Sequence, residues 1–322
     1  MTEYGQGTGD WRPGIGDEGR GPRGLRVVAT VFAGLLLVAA PARAALTEAP
    51  RLMAVYDTIL AAQFDRVDAQ LTQSCPPAPV EACASLRVVA LWWQIQANPE
   101  SKLLDRRFAD LAAAAIAANQ SWTVREPSRG EAWFYLAGSY APLVQWRVLR
   151  GERIAAAREG NKIRVALERA LQLDPSLDDA YFGIGLYHYY ADVAPAAAKL
   201  LRWLLFLPGG DRVKGLQEML QAQRRGALLQ GEADYQLHFI YLWYEKQTPR
   251  ALEILRALDA RYPSNPIFIR RIAEIHDQYL HDRVASAAAW QTLIDRARAG
   301  RVWDAQGSEA RARTALARLR AS

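Results

Sequence analysis

The sequence predicts an all-α protein, an α-α superhelix built from antiparallel helical hairpins. Its composition is 51% hydrophobic with little β-branched content, which is enough apolar surface for a large helical core. Apolar residues recur at helical spacing along most segments. From Pro127 onward, helical segments end at prolines at intervals, which indicates an internal repeat that decides the architecture.

Residues 1–44 are expected to be an extension followed by a secretory signal peptide. Arg20, Arg23 and Arg26 form a positive flank before the apolar run Val27–Ala40, whose 14 residues fall short of the ~20 that span a bilayer. A small-x-small site ends at Ala44, so we expect cleavage there and a periplasmic mature protein that begins at Ala45. An uncleaved inner-membrane anchor, with the folded part facing the periplasm, stays open as the alternative.

Residues 45–126 are predicted to form N-terminal helical hairpins, joined by a loop that contains both cysteines. The loop reads CPPAPVEAC, from Cys75 to Cys83. An even cysteine count in an exported chain favours a structural disulfide between these two residues. Their spacing is not C-x-x-C, which argues against a redox or zinc motif.

Residues 127–301 contain the repeat. Each unit has an aromatic residue, a large apolar residue, a small residue and then a tyrosine or histidine. These positions are Trp133, Leu136, Ala137 and Tyr140 in one unit, and Tyr181, Ile184, Gly185 and His188 in the next. The small residue is expected to let the paired helix approach closely.

This pattern resembles the tetratricopeptide repeat (TPR) over about Gly130–Arg301. The resemblance implies a TPR-like solenoid of antiparallel hairpins and a protein that binds other molecules. The distance from Trp133 to Pro175 exceeds the family spacing. The excess falls around Val148–Gly160 and is expected to lengthen one hairpin.

An apolar insertion, residues 192–230, interrupts the repeat. Its sequence APAAAKLLRWLLFLPGGDRVKGL resembles a segment of the inclusion-body-clearance TPR family, which implies a shared architecture. Leu200–Leu207 is apolar nearly all round, which favours burial, while a peripheral membrane contact stays open. Asp211 is expected to cap the helix after the Gly-Gly turn.

Residues 302–322 are predicted to form a C-terminal capping helix, because a solenoid needs a polar outer surface at its end. Ala312, Leu316 and Leu319 share one face of this helix.

The candidate partner-binding residues occupy positions that face the concave side of such arrays. They are Phe182, Tyr189, Tyr190, Tyr235, Phe239, Trp243 and Glu274. Tyrosine and tryptophan offer large, rigid contact areas with a polar end, which suits peptide recognition. Packing between helices is the competing interpretation of the aromatic members.

The sequence offers no catalytic set, metal site or cofactor motif. His276 and His281 are five residues apart, so they do not share a helical face as a zinc-binding pair does. The net charge of +6 is spread along the chain without a basic stripe, which argues against nucleic acid as a partner.

We therefore expect a non-enzymatic periplasmic scaffold or adaptor that binds a protein or peptide on its concave face. The alternative is a small-ligand-binding accessory component of a transport system. A closed aromatic pocket near Tyr189 and Trp243 would favour that alternative. The partner, the pathway and the oligomeric state are left open.

Overall fold

The computed structural model describes residues 46–195 and 208–321, which form helices and no strand. The all-α prediction is therefore confirmed for this part of the chain. The expected signal peptide and the run Leu200–Leu207 lie outside the described residues. Within these residues, no helix combines the length and the apolar character that crossing a membrane requires.

Thirteen α-helices make up the described part, and one of them continues into a short π-helix. They are α1 (Ala49–Leu60), α2 (Phe64–Ser74), α3 (Val80–Ala97), α4 (Asp105–Arg125), α5 (Gly130–Leu149), α6 (Arg153–Leu173), α7 (Ala180–Val193), α8 (Arg212–Arg225), α9 (Gln230–Phe239) with the π-helix Ile240–Tyr244, α10 (Thr248–Arg261), α11 (Pro266–Gln278), α12 (Arg283–Arg298) and α13 (Ala305–Ala321).

Neighbouring helices pack in pairs, most extensively α5 with α6, α7 with α8, and α11 with α12. The expected long hairpin is present, because α5 and α6 have 20 and 21 residues. The expected cap is also present: the Asp211 side chain accepts a hydrogen bond from the Lys214 amide at 2.9 Å.

Two glycines allow α7 and α8 to approach each other closely. A Cβ on Gly185 would lie 2.7 Å from the carbonyl oxygen of Gly215, and a Cβ on Gly215 would lie 2.6 Å from the carbonyl oxygen of Gly185. Real Cβ atoms do not tolerate such contacts, so this interface requires glycine at both positions. The expectation that the small residue at 185 permits close packing is confirmed.

The predicted disulfide is present and closes the loop between α2 and α3. Cys75 and Cys83 have Cα atoms 6.4 Å apart, within the range that a disulfide bridges. Cys83 is buried in the main apolar core beside Leu86, and Cys75 packs against the same core. The bridge therefore fastens the start of α3 to the end of α2.

The C-terminal helix α13 presents its apolar face to the core. Ala312 and Leu316 are buried, and Leu319 packs against the same cluster. The ring of Trp303, which precedes α13, lies 5.3 Å from the ring of Phe64 in an edge-on arrangement. The segment before the last described helix thus contacts α2, near the start of the described residues.

The helix α1 also contacts the segment that joins α10 to α11. Asn265 Nδ2 donates to the carbonyl of Leu60 at 2.8 Å, and the Ser264 hydroxyl donates to the carbonyl of Ala61 at 2.6 Å. In an open repeat array each unit contacts its neighbours alone. These contacts join positions more than two hundred residues apart, and the repeat pattern does not predict them.

Candidate functional site

The first turn of α9 is covered by the N-terminal helices. Glu232 Oε2 accepts hydrogen bonds from the Tyr56 hydroxyl of α1 at 3.0 Å and from Trp93 Nε1 of α3 at 3.2 Å. The Trp93 ring also lies 4.8 Å from the ring of Tyr235 and 5.9 Å from that of Phe268. The faces of α9 and α11 that carry Tyr235 and Phe268 are therefore filled by α3.

Burial isolates the Glu232 carboxyl from water. Burial raises the pKa of Glu232, and the hydrogen bonds from Gln236, Tyr56 and Trp93 oppose this change. The carboxyl links three helices and is buried, so a partner could not reach it. We interpret it as part of the interior rather than of a reactive site.

Three of the seven candidate partner-binding residues are buried. Phe182, Tyr189 and Tyr235 have exposed fractions of 8%, 0% and 1%. In this conformation their rings pack between helices, as the competing interpretation expected. Partner binding by the seven residues stays a prediction. The four members that are not buried are the ones that a partner could reach.

The π-helix Ile240–Tyr244 turns two consecutive aromatic side chains outward. Trp243 is 43% exposed and Tyr244 is 39% exposed, although both are large and aromatic. Short π-helical segments of this kind occur frequently at functional sites. The segment sends Trp243 towards α11 and Tyr244 towards α7, so it connects the ends of three helices.

On the α7 side, three tyrosine rings meet edge to face. Tyr244 lies 5.8 Å from Tyr189 and 5.6 Å from Tyr190, and the last two rings are also 5.8 Å apart. Such arrangements stabilise aromatic clusters beyond the area they bury. Burial is the main cause that raises the pKa of Tyr189 and of Tyr190, so both hydroxyls stay protonated at physiological pH.

On the α11 side, Trp243 is held in place by two contacts. Its ring lies 4.6 Å from Phe239, and its Nε1 donates to the Tyr279 hydroxyl at 2.8 Å. Tyr279 and Leu280 are each 42% exposed. We refer to the surface formed by the two sides together as the aromatic edge; it comprises Tyr190, Phe239, Trp243, Tyr244, Tyr279 and Leu280.

An ion pair stands at each end of the aromatic edge. Arg212 makes a two-pronged contact with Glu245, with N–O distances of 2.9 and 2.6 Å. The Tyr189 hydroxyl donates to the same carboxylate at 2.5 Å. The hydrogen bonds from Arg212 lower the pKa of Glu245. At the other end, Arg271 Nη1 donates to Glu274 Oε2 at 2.8 Å.

The backbone amides that directly follow the Gly-Gly turn before α8 donate hydrogen bonds within the protein. The Asp211 amide donates to the carbonyl of His188, and the Arg212 amide donates to the Asp192 carboxylate at 3.0 Å. A Cβ on Gly210 would lie 2.2 Å from the same His188 carbonyl, so the turn packs directly on the end of α7. The turn therefore joins the two helices. These two amides are not available to bind an anion.

A separate groove of about 780 Å³ lies between α8, α9 and α10. Its lining includes Leu220, Tyr241, Arg250 and Ile254. The Tyr241 hydroxyl has no hydrogen-bond partner within the described part of the protein, and the Arg250 guanidinium lies 4.2 Å over the Tyr241 ring. Neither Tyr189 nor Trp243, near which the ligand-binding alternative expected a pocket, lines this groove.

Among the candidate residues, the structure groups Tyr189, Tyr190, Phe239, Trp243 and Glu274 along one edge. Sequence reasoning missed Tyr244 and Tyr279. Tyr244 directly follows Trp243, and consecutive residues of a regular α-helix point about 100° apart, so the helical pattern did not group the two on one face. Within residues 46–195 and 208–321, no group of three or more His, Cys, Asp or Glu side chains could hold a metal ion.

No family model matches the chain, and no curated protein matches it.

Proposed function

We propose that this protein is an exported, TPR-like helical scaffold that binds a segment of another protein at the aromatic edge. The observation that carries the proposal is the joint exposure of Trp243, Tyr244, Tyr279 and Leu280. Four large apolar side chains rarely adjoin on a protein surface without a binding role. Tryptophan and tyrosine are also the residues that most often dominate interface energies.

The rigidity of the aromatic edge supports recognition. Trp243 is fixed by Phe239 and by its hydrogen bond to Tyr279, so binding would order few additional side chains. Because α3 covers the neighbouring face of α9, the proposed partner contacts the ends of helices α7, α9 and α11 rather than a deep concave groove.

Export is part of the same proposal. The disulfide Cys75–Cys83 is compatible with an oxidising compartment, where such bonds persist. In this proposal the protein binds its partner and catalyses no reaction. Mass spectrometry of the protein recovered from the periplasm tests this part: a mature mass that begins at Ala45 supports export with cleavage after Ala44.

Affinity capture with Trp243→Ala tests the binding proposal. We expect the wild-type chain to retain a specific protein and Trp243→Ala to lose it. Trp133→Ala is the matched control, because Trp133 is also a partly exposed tryptophan on a helix, with its Nε1 bonded to the carbonyl of Pro127. Equal capture by wild type and Trp243→Ala would contradict the proposal.

The groove at Tyr241 favours the second candidate function, small-ligand binding within a transport system. Its lining mixes apolar side chains with charged and amide side chains and includes the unpartnered Tyr241 hydroxyl, and a few polar groups of this kind orient the ligand in small-molecule sites. A thermal-shift screen distinguishes the two candidates. A ligand whose stabilising effect disappears in Tyr241→Phe but persists in Trp243→Ala would support this second function.

A further inference from the structure

Two consecutive arginines of α11 share a single carboxylate beside the aromatic edge. Arg271 lies 2.8 Å from Glu274, and Arg270 Nε lies 3.8 Å from the same side chain. The pair therefore carries two positive charges against one negative charge. The side chain of Arg270 is 13% exposed and that of Arg271 is 35% exposed, so the excess charge is partly shielded from water.

Arg270 is fixed by the end of α3. Its two terminal nitrogens donate to the carbonyls of Ala97 and Gln96 at 3.0 and 3.2 Å. These two bonds hold a positive charge next to Arg271. Burial lowers the pKa of Arg270, because the charged guanidinium is less stable in the protein interior than in water. A second anion near this point would stabilise that charge.

The donors around the two arginines are not fully used. The Nε atoms of Arg270 and Arg271 and the Nε2 atom of Gln96 have no hydrogen-bond acceptor among the described residues. Buried polar groups are normally bonded, so the unpaired Nε atom leaves each guanidinium with an unused donor. A modest shift of Arg271 towards a ligand would bring its guanidinium onto a new acceptor.

Arg271 also joins this charge to the aromatic edge. Its guanidinium lies over the Phe239 ring at 5.5 Å from the centroid, and Phe239 in turn packs on Trp243 at 4.6 Å. An arginine stacked in this way presents its N–H groups sideways, where a carboxylate can bind two of them at once. Apolar and acid-binding groups are therefore adjacent on one surface.

We infer that the partner segment is acidic, with a carboxylate bound by Arg271 next to an aromatic or large aliphatic side chain bound by Trp243. This inference rests on the proposed function, since it specifies the chemistry of what binds the aromatic edge. The excess positive charge selects an acidic segment over a basic one, because a lysine or arginine at this place would face two guanidiniums.

Selection from a displayed random-peptide library against the full chain tests the inference. We expect the selected peptides to carry Asp or Glu next to Trp, Tyr, Phe or Leu. Arg271→Gln should weaken a selected peptide about tenfold or more, the usual value of a charge-assisted contact. Arg87→Gln is the matched control: Arg87 has a similar exposure of 36% and also pairs with a carboxylate, that of Asp68.

The outcomes separate this inference from the proposed function. Neutral or basic peptides that require Trp243 and ignore Arg271→Gln would overturn the inference and leave the proposed function intact. If Trp243→Ala leaves the binding of every selected peptide unchanged, both fail. Acidic peptides support both if Arg271→Gln lowers their affinity and if this loss is smaller at high salt, which screens the contact between charges.

Discussion

The hydroxyl of Tyr56 donates a hydrogen bond to Oε2 of Glu232 at 3.0 Å, and it joins α1 to α9 across 176 positions of sequence. Trp93 donates to the same oxygen from α3. The carboxyl group is thus the point at which three helices meet, two of which precede the repeat region.

Glu232→Gln is expected to change how stability depends on pH. Burial raises the pKa of Glu232 above its ordinary 4.5, so the native state holds this proton more tightly than the unfolded state. Its contribution is therefore complete below pH 4.5 and is lost as pH rises through the native pKa. Glutamine does not ionise and keeps an oxygen for the Tyr56 and Trp93 donors.

The measurement is the difference in Tm between Glu232→Gln and wild type across a pH series. The difference should shift in favour of the variant as pH rises, whereas titrations at other sites cancel between the two proteins. A shift towards wild type at higher pH would show that the native state prefers the ionised carboxylate, and a constant difference would show that folding does not change the pKa of Glu232; either result contradicts the prediction.

Gly185→Ala is expected to destabilise the α7–α8 pair. The added methyl group would meet the Gly215 carbonyl at 2.7 Å and Met219 Cγ at 2.9 Å, and overpacking of this kind costs about 1–3 kcal/mol. Gly138→Ala in α5 is the control, since nothing lies within 4 Å of its added Cβ.

Gly138→Ala should be neutral or stabilising by up to about 1 kcal/mol, because alanine favours a helix interior over glycine. Denaturant unfolding of both variants measures the difference. Equal effects at the two positions would contradict the close approach of α7 and α8.

Asn265→Ala is expected to cost about 2 kcal/mol. The side chain accepts from the Ile267 amide, which caps α11, and donates to the Leu60 carbonyl, which fastens α1. Each bond contributes about 1 kcal/mol. Asp211→Ala removes a helix cap of the same kind, on the Lys214 amide, and should cost about half as much in a denaturant titration. Equal losses would indicate that the bond to α1 adds nothing.

Reduction of the disulfide is expected to lower the free energy of unfolding by about 2 kcal/mol, the low end of the usual range, because the bridge closes a short loop. Cys75 and Cys83 are separated by 8 positions. Unfolding with and without reductant measures the effect. The double variant Cys75→Ser with Cys83→Ser should match the reduced wild type and be insensitive to reductant; a residual response to reductant would point to another cause.

Local sequence signals predicted much of this fold. Periodic apolar residues placed the helices, Asp211 marked the start of α8, and the small residue at 185 anticipated a close helix pair. These signals work because each depends on residues within a few turns of one another. The disulfide was also predictable, since two cysteines leave a single pairing within the chain.

The packing of α1 and α3 against later helices was not predictable in the same way. Tyr56 and Trp93 look like ordinary apolar-face residues, and nothing in their neighbourhood names Glu232 as a partner. The π-helix leaves no period of its own, because a single widened turn adds one residue to an otherwise regular pattern. Tyr244 lies in that turn, and Tyr279 contacts the turn through the hydrogen bond from Trp243.

The bonds from α1 to the segment between α10 and α11 also limit how this protein can evolve. Open repeat arrays gain or lose whole units easily, because a new unit needs to fit its two neighbours alone. Here an added hairpin between α5 and α10 would displace Asn265 and Ser264 from the carbonyls of Leu60 and Ala61. We therefore expect these two bonds to restrict the insertion of hairpins, so that related chains vary in their loops rather than in their number of helices.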